Sequence, residues 1–168
     1  MKKTPLVAAL LAGLLALVSR DAGAQSEPAL SFGPCRALSV SEGDSADLQC
    51  GSDFLRVRMR NVAAPRPGQV GHGEAVRALA ELLRERELFV AADAAGELPR
   101  DGDGRALVYL YDRSGANLNV VLVLLGWATY TTADAGASRF EKGFRAAEHD
   151  ARADQRALWT VWSVSADR

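Results

Sequence analysis

From Leu55 to Arg60 aliphatic and guanidinium side chains alternate without a break, with Leu55, Val57 and Met59 interleaved with Arg56, Arg58 and Arg60. Successive side chains of a strand point to opposite faces, so this run predicts a strand with one apolar face and one face of three arginines. Ala63-Ala64-Pro65-Arg66 ends it. Upstream, two short strand-like runs between Arg36 and Gln49 flank the turn-forming tripeptide Glu42-Gly43-Asp44, which predicts a hairpin. Downstream, Leu88 to Ala92 reads as a short strand, and Ala106 to Tyr111 as a fifth after the loop Asp101-Gly102-Asp103-Gly104-Arg105.

Helical spacing appears at Val76, Leu79, Ala80 and Leu83 within Gly73 to Arg86, and again at Phe140, Phe144, Ala147 and Ala151. Leu158, Trp159 and Trp162 are expected to fold back on the core. The run Asn119 to Gly126 is ambiguous, since its β-branched residues argue strand while the Asn start and Gly stop argue a capped helix. The whole predicts one α+β domain over 35–162, with a flexible leader at 25–34 and a tail at 163–168.

The N-terminus reads as export chemistry. Lys2 and Lys3 precede an apolar run from Leu6 to Val18, and Ala22-Gly23-Ala24 supplies the small residues of a cleavage site. Residues 1–24 are therefore expected to be a signal peptide. The run falls short of the roughly 20 apolar residues a bilayer span needs, which disfavours a retained anchor. An exported, periplasmic or secreted protein with no membrane attachment after cleavage is expected. Cleavage removes Lys2, Lys3, Arg20 and Asp21, so Lys+Arg falls from 20 to 17, Asp+Glu from 21 to 20, and net charge from −1 to −3. Bulk charge therefore does not attract nucleic acid, and any polyanion site must be a local arrangement of arginines. The two cysteines, Cys35 and Cys50, lie near the open end of the predicted hairpin. In an oxidising compartment one disulfide is the natural outcome, against free thiols or a metal pair.

The order of these motifs resembles the staphylococcal nuclease, or thermonuclease-like, family over roughly residues 36–160. The resemblance rests on Val40-Ser41-Glu42-Gly43-Asp44-Ser45, on Arg58 seven residues before Pro65, and on Gly104-Arg105 ahead of a strand. Asn119 seven residues before Gly126, and Ala147-Glu148 leading to Leu158-Trp159, complete it. It implies a five-stranded OB-type β-barrel with three helices, and it resolves Asn119 to Leu125 as helix. In such relatives a calcium ion held by carboxylates, with a neighbouring glutamate, activates water, while two arginines neutralise the phosphate. Carried over, the phosphate-binding catalytic arginines are Arg58 and Arg105, and the metal carboxylates are Asp44 and Glu42.

The other half of that site departs from the family pattern. Where relatives carry Asp-x-Pro-Glu, this chain has Ala63-Ala64-Pro65-Arg66, so one metal carboxylate is a methyl group and the catalytic glutamate is a cation. Calcium takes six to eight oxygen ligands, and Asp44 with water and backbone is a poor cage. No cofactor is expected, and ordinary hydrolysis is not. What the resemblance leaves is a catalytically degenerate relative that binds a phosphate-containing anion or single-stranded nucleic acid weakly through its arginines. The alternative is a divalent-metal-dependent nuclease of altered metal use, with calcium held by Asp44 and Glu42, and a third reading is a protein-interaction scaffold.

The resemblance further implies that Arg66 points toward Arg58 and Arg105. Two like charges about 5 Å apart repel by roughly 3 kcal/mol at an effective dielectric of 20, so something negative must sit among them. Asp44, Glu42 or a bound phosphate are the candidates. The plain reading of Arg56, Arg58, Arg60 and Arg66 is a solvated strand face salt-bridged to Glu42 and Asp44. Asp103 stands where the family often has tyrosine, Tyr130 is expected to pack in the core, and Glu148 and the tryptophans are structural. His72 and His149 are expected to be ordinary surface residues, and Glu74 is explained by the helix dipole.

Overall fold

In chain order the elements are β1 (Leu30–Glu42), β2 (Ser45–Cys50), β3 (Asp53–Met59), β4 (Val62–Ala63), α1 (His72–Leu83), β5 (Leu88–Ala91), β6 (Ala106–Asp112), α2 (Leu118–Leu124), β7 (Thr129–Tyr130), α3 (Glu141–Ala153) and α4 (Leu158–Ala166). They come from a computed structural model that describes residues 30–92, 98–133 and 136–166. The expected signal peptide lies outside the described residues, as does the leader up to residue 29. β1 already begins at Leu30, upstream of the boundary drawn at Cys35, because Leu30 and Phe32 pair with Ala91 and Val90 of β5.

Five strands close a barrel in the order β1-β2-β3-β6-β5, with β1 returning to pair with β5. Neighbours are antiparallel except β3 and β6, which run parallel. Closure removes the free edges that the arginine-bearing strand would otherwise expose. The short strands β4 and β7 form a separate two-stranded sheet. Inside lie Leu48, Val57, Met59, Leu88, Val90 and Leu110, all essentially without solvent contact. From Ala106 to Tyr111 β6 is buried on both faces, since one lines the barrel and α2 packs against the strand from outside.

The hairpin and its bridge form as expected: Cys35 and Cys50 are opposite partners in the β1–β2 register and are joined as a disulfide, with 4.1 Å between their Cα atoms. The run after Asn117 is helix. Its cap is Asn117, not Asn119, since the Asn117 side chain accepts from the amides of Asn119 and Val120. Asn119 is instead buried beneath the helix. Its Oδ1 accepts from Leu110 N at 2.9 Å, and its Nδ2 donates to Arg60 O at 3.0 Å and Val108 O at 2.9 Å, tying α2 to β6 and the end of β3.

Among the described residues there are four helices, where the resemblance implied three. The extra one, α4, runs over a stretch with no glycine or proline to break it. It is anchored by Leu158, which is buried against Gly71: a Cβ at Gly71 would lie 2.1 Å from Leu158 Cδ2, and the glycine also has φ 88° at the N-cap of α1. The inward face of α1 is Ala75, Leu79, Leu82 and Leu83, so Ala80 is exposed where helical spacing placed it inside. Tyr130 does pack as expected, stacked on Phe144 with ring centroids 5.1 Å apart.

Candidate functional site

A two-residue turn, Gly43-Asp44, joins β1 to β2 and is buried. Glycine is required at its first position by close approach: a Cβ on Gly43 would sit 2.7 Å from Ala64 Cβ and 2.8 Å from Ala75 Cβ. The turn is thus clamped between the segment after β4 and the first turn of α1. Met59 N donates to Asp44 O at 2.8 Å, which fixes the Asp44 backbone to the end of β3.

The Asp44 side chain is fully buried, and a carboxylate there requires partners. Its Oδ1 accepts from Ser45 Oγ at 2.8 Å. Its Oδ2 lies 3.4 Å from Arg58 Nε and 3.6 Å from Arg66 Nη2. Arg58 reaches it because β2 and β3 pair Ser45 with Arg58. The plain reading of a solvated arginine face therefore fails at Arg58, which is buried, while Arg56 on the same strand is exposed. The difference arises along β3, whose first residues are exposed and whose last three are covered.

Arg66 follows Pro65 in a loop held to α1. Gln69 Oε1 accepts from Arg66 N at 2.6 Å, and His72 Nδ1 lies 2.9 Å from Pro65 O. His72 is thus half-buried at the start of α1 and braces the segment that carries Arg66, a role beyond that of an ordinary surface residue. The Arg66 guanidinium donates through Nη1 to Glu42 Oε2, and the same oxygen lies 3.3 Å from Arg105 Nη1.

Arg105 precedes β6 and is placed by the turn before it. Asp101 Oδ1 accepts from Arg105 N at 2.9 Å, and Asp101 Oδ2 from Arg105 Nε at 2.7 Å. Asp103 Oδ2 lies 2.9 Å from Arg105 Nη2. Burial works against the charge on both Asp101 and Arg105, but their hydrogen bond and mutual attraction outweigh it. The Asp101 carboxyl is held below the usual carboxylate range and Arg105 above the usual arginine value, with Glu42 and Asp103 adding to the latter.

Glu42, Asp44, Arg58, Arg66 and Arg105, each singled out in the sequence, are brought into one network. Asp101 and Ser45 were missed, although an aspartate four residues before an arginine across a Gly-rich turn was a visible signal for the first. Ala63 stands on β4 opposite Thr129, one residue before the Ala64 methyl that faces Gly43. His149 is exposed beside Asp150, as expected.

The model of the staphylococcal nuclease homologue family matches residues 56–161, more than half of the 168. The chain belongs to that family. No curated protein matches it. The match takes in Arg58, Ala63, Arg66 and Arg105, while Glu42 and Asp44 lie ahead of it and are joined to it by ion pairs with Arg58, Arg66 and Arg105.

Nucleases of the staphylococcal nuclease family depend on calcium, and the donor set here does not suit that ion. One oxygen of each acid, Asp44 Oδ2 and Glu42 Oε2, faces guanidinium groups, and no carboxylate stands at 63 or 66. Calcium, which needs six to eight oxygens, would have to displace Arg66 from both acids. Among the described residues no three His, Cys, Asp or Glu side chains are grouped to hold a metal. What the arrangement offers is three guanidiniums, each already in contact with carboxylate oxygen.

Proposed function

We propose that this staphylococcal nuclease homologue is an exported, non-hydrolytic member of its family that retains weak affinity for phosphate groups, free or in single-stranded nucleic acid. The observation that carries this reading is Arg66, whose guanidinium lies on the oxygens of both Glu42 and Asp44. A cation at the position relatives use for a general base neither accepts a proton from water nor tolerates a metal beside it. Losing a general base alone typically costs about 10²–10⁴ in rate. Arg58 and Arg105 are both buried, and they lie against the neighbouring residues Asp44 and Ser45; planar guanidiniums are donors that suit a phosphate. Sequence-tolerant strand binding also uses aromatic stacking platforms, and Asp103 replaces one such position.

The test is hydrolysis by the purified protein. No calcium-stimulated cleavage of single-stranded DNA or RNA is expected. Robust degradation abolished by a chelator would replace this reading with that of a nuclease of altered metal use, with Asp44 and Glu42 holding the ion.

A further inference from the structure

The network has two layers. Asp44 and Asp101 are buried, with side chains 0 % and 8 % exposed, and each fixes an arginine from within the fold. Glu42 and Arg66 form the outer layer, 25 % and 40 % exposed. Within that layer one atom, Glu42 Oε2, accepts from both Arg66 Nη1 and Arg105 Nη1. A guanidinium takes carboxylate and phosphate oxygens by the same planar, charge-assisted geometry, so an oxygen at that point satisfies both donors whichever group carries it.

We infer that Glu42 is an internal competitor: its carboxylate occupies the oxygen position shared by Arg66 and by Arg105, one of the two arginines of the phosphate site, and keeps external phosphate out. The inference rests on reading this cluster as a phosphate site and adds its regulation. Several features support it. Glu42 ends β1 at the turn, and its side chain, 25 % exposed, is held by the guanidiniums of Arg66 and Arg105. Asp44, by contrast, is tied to Ser45 and enclosed, and Asp101 takes two amides and the Arg105 side chain. If Glu42 withdraws, Arg66 and Arg105 keep their places through Asp44 and Asp101, and two aligned cations remain around a vacated oxygen position.

Glu42→Gln in the full chain tests this by titration calorimetry with a chelator present. Two probes are used, inorganic phosphate and a short single-stranded deoxyoligonucleotide without terminal phosphates. Phosphate affinity is expected to rise about tenfold or more over wild type, the scale of one removed charge contact near the surface. Adding Arg105→Ala to Glu42→Gln is expected to abolish the gain. A rise for both probes identifies a phosphodiester ligand, and a rise for phosphate alone identifies the free ion. A folded Glu42→Gln protein with wild-type affinity for both overturns the inference, as does a gain that survives Arg105→Ala. Should Glu42→Gln fail to fold, Glu42→Asp withdraws the oxygen by one methylene and is read the same way. Because the titration is done without divalent metal, hydrolysis by the wild type would count against the non-hydrolytic reading and leave this measurement unaffected.

Discussion

Arg66 Nη2 lies 3.6 Å from Asp44 Oδ2, so a cation on the loop after β4 reaches a fully buried carboxylate in the β1–β2 turn. The two ends of this contact are unequal. Arg66 is partly in water, and surface pairs are worth about 0–1 kcal/mol, so Arg66→Ala is expected to change stability by no more than that. Asp44→Ala takes the same partner from Arg66 and also from the buried Arg58, and breaking a buried pair from one side costs about 3–5 kcal/mol. Urea unfolding of both variants checks the contrast, and equal losses would show that Asp44 is not the anchor of the network.

Acid sensitivity is expected to run through Asp101. Its folded-state carboxyl lies below the unfolded value of about 3.9, so the folded protein binds the proton less readily than the unfolded chain. The resulting stability is complete above about pH 5 and is lost as pH falls through the folded value. Asp101→Asn is expected to lower stability by about 1.5–3 kcal/mol at neutral pH, with the gap to wild type closing below about pH 4. Asp112 is lowered too, first by its Ser114 hydrogen bond, so the variant keeps part of the acid dependence. Urea midpoints measured across pH 2 to about 7 decide this, and a gap constant to the lowest pH would refute it.

The double change Ala63→Asp with Arg66→Glu is expected to create measurable calcium affinity. It frees the Glu42 and Asp44 oxygens from Arg66 and adds two carboxylates, approaching the oxygen-rich set that the ion needs. Titration calorimetry with calcium reads it directly. Absence of heat in the folded variant would mean that position 63 does not face Asp44.

Much of this protein was written in local pattern. The Leu55-to-Arg60 alternation gave β3, the Glu42-Gly43-Asp44 turn gave the hairpin, and the positions of Cys35 and Cys50 about that turn gave the bridge. Those features depend on neighbours in sequence, where side-chain periodicity and turn chemistry act directly. The replacement of acids by Ala63 and Arg66 was equally legible, because a change of charge needs no coordinates. Only the tertiary structure decided that Arg58 is buried while Arg56 is exposed, that Asn117 rather than Asn119 caps α2, and that a fourth helix seats Leu158 on Gly71. The resemblance had already grouped these residues, but only the structure put Arg66 and Arg105 on the same Glu42 oxygen, since the three come from segments with no local relation. Burial and long-range ion pairing are set by which surfaces the closed barrel brings together, and a one-dimensional pattern carries no record of that.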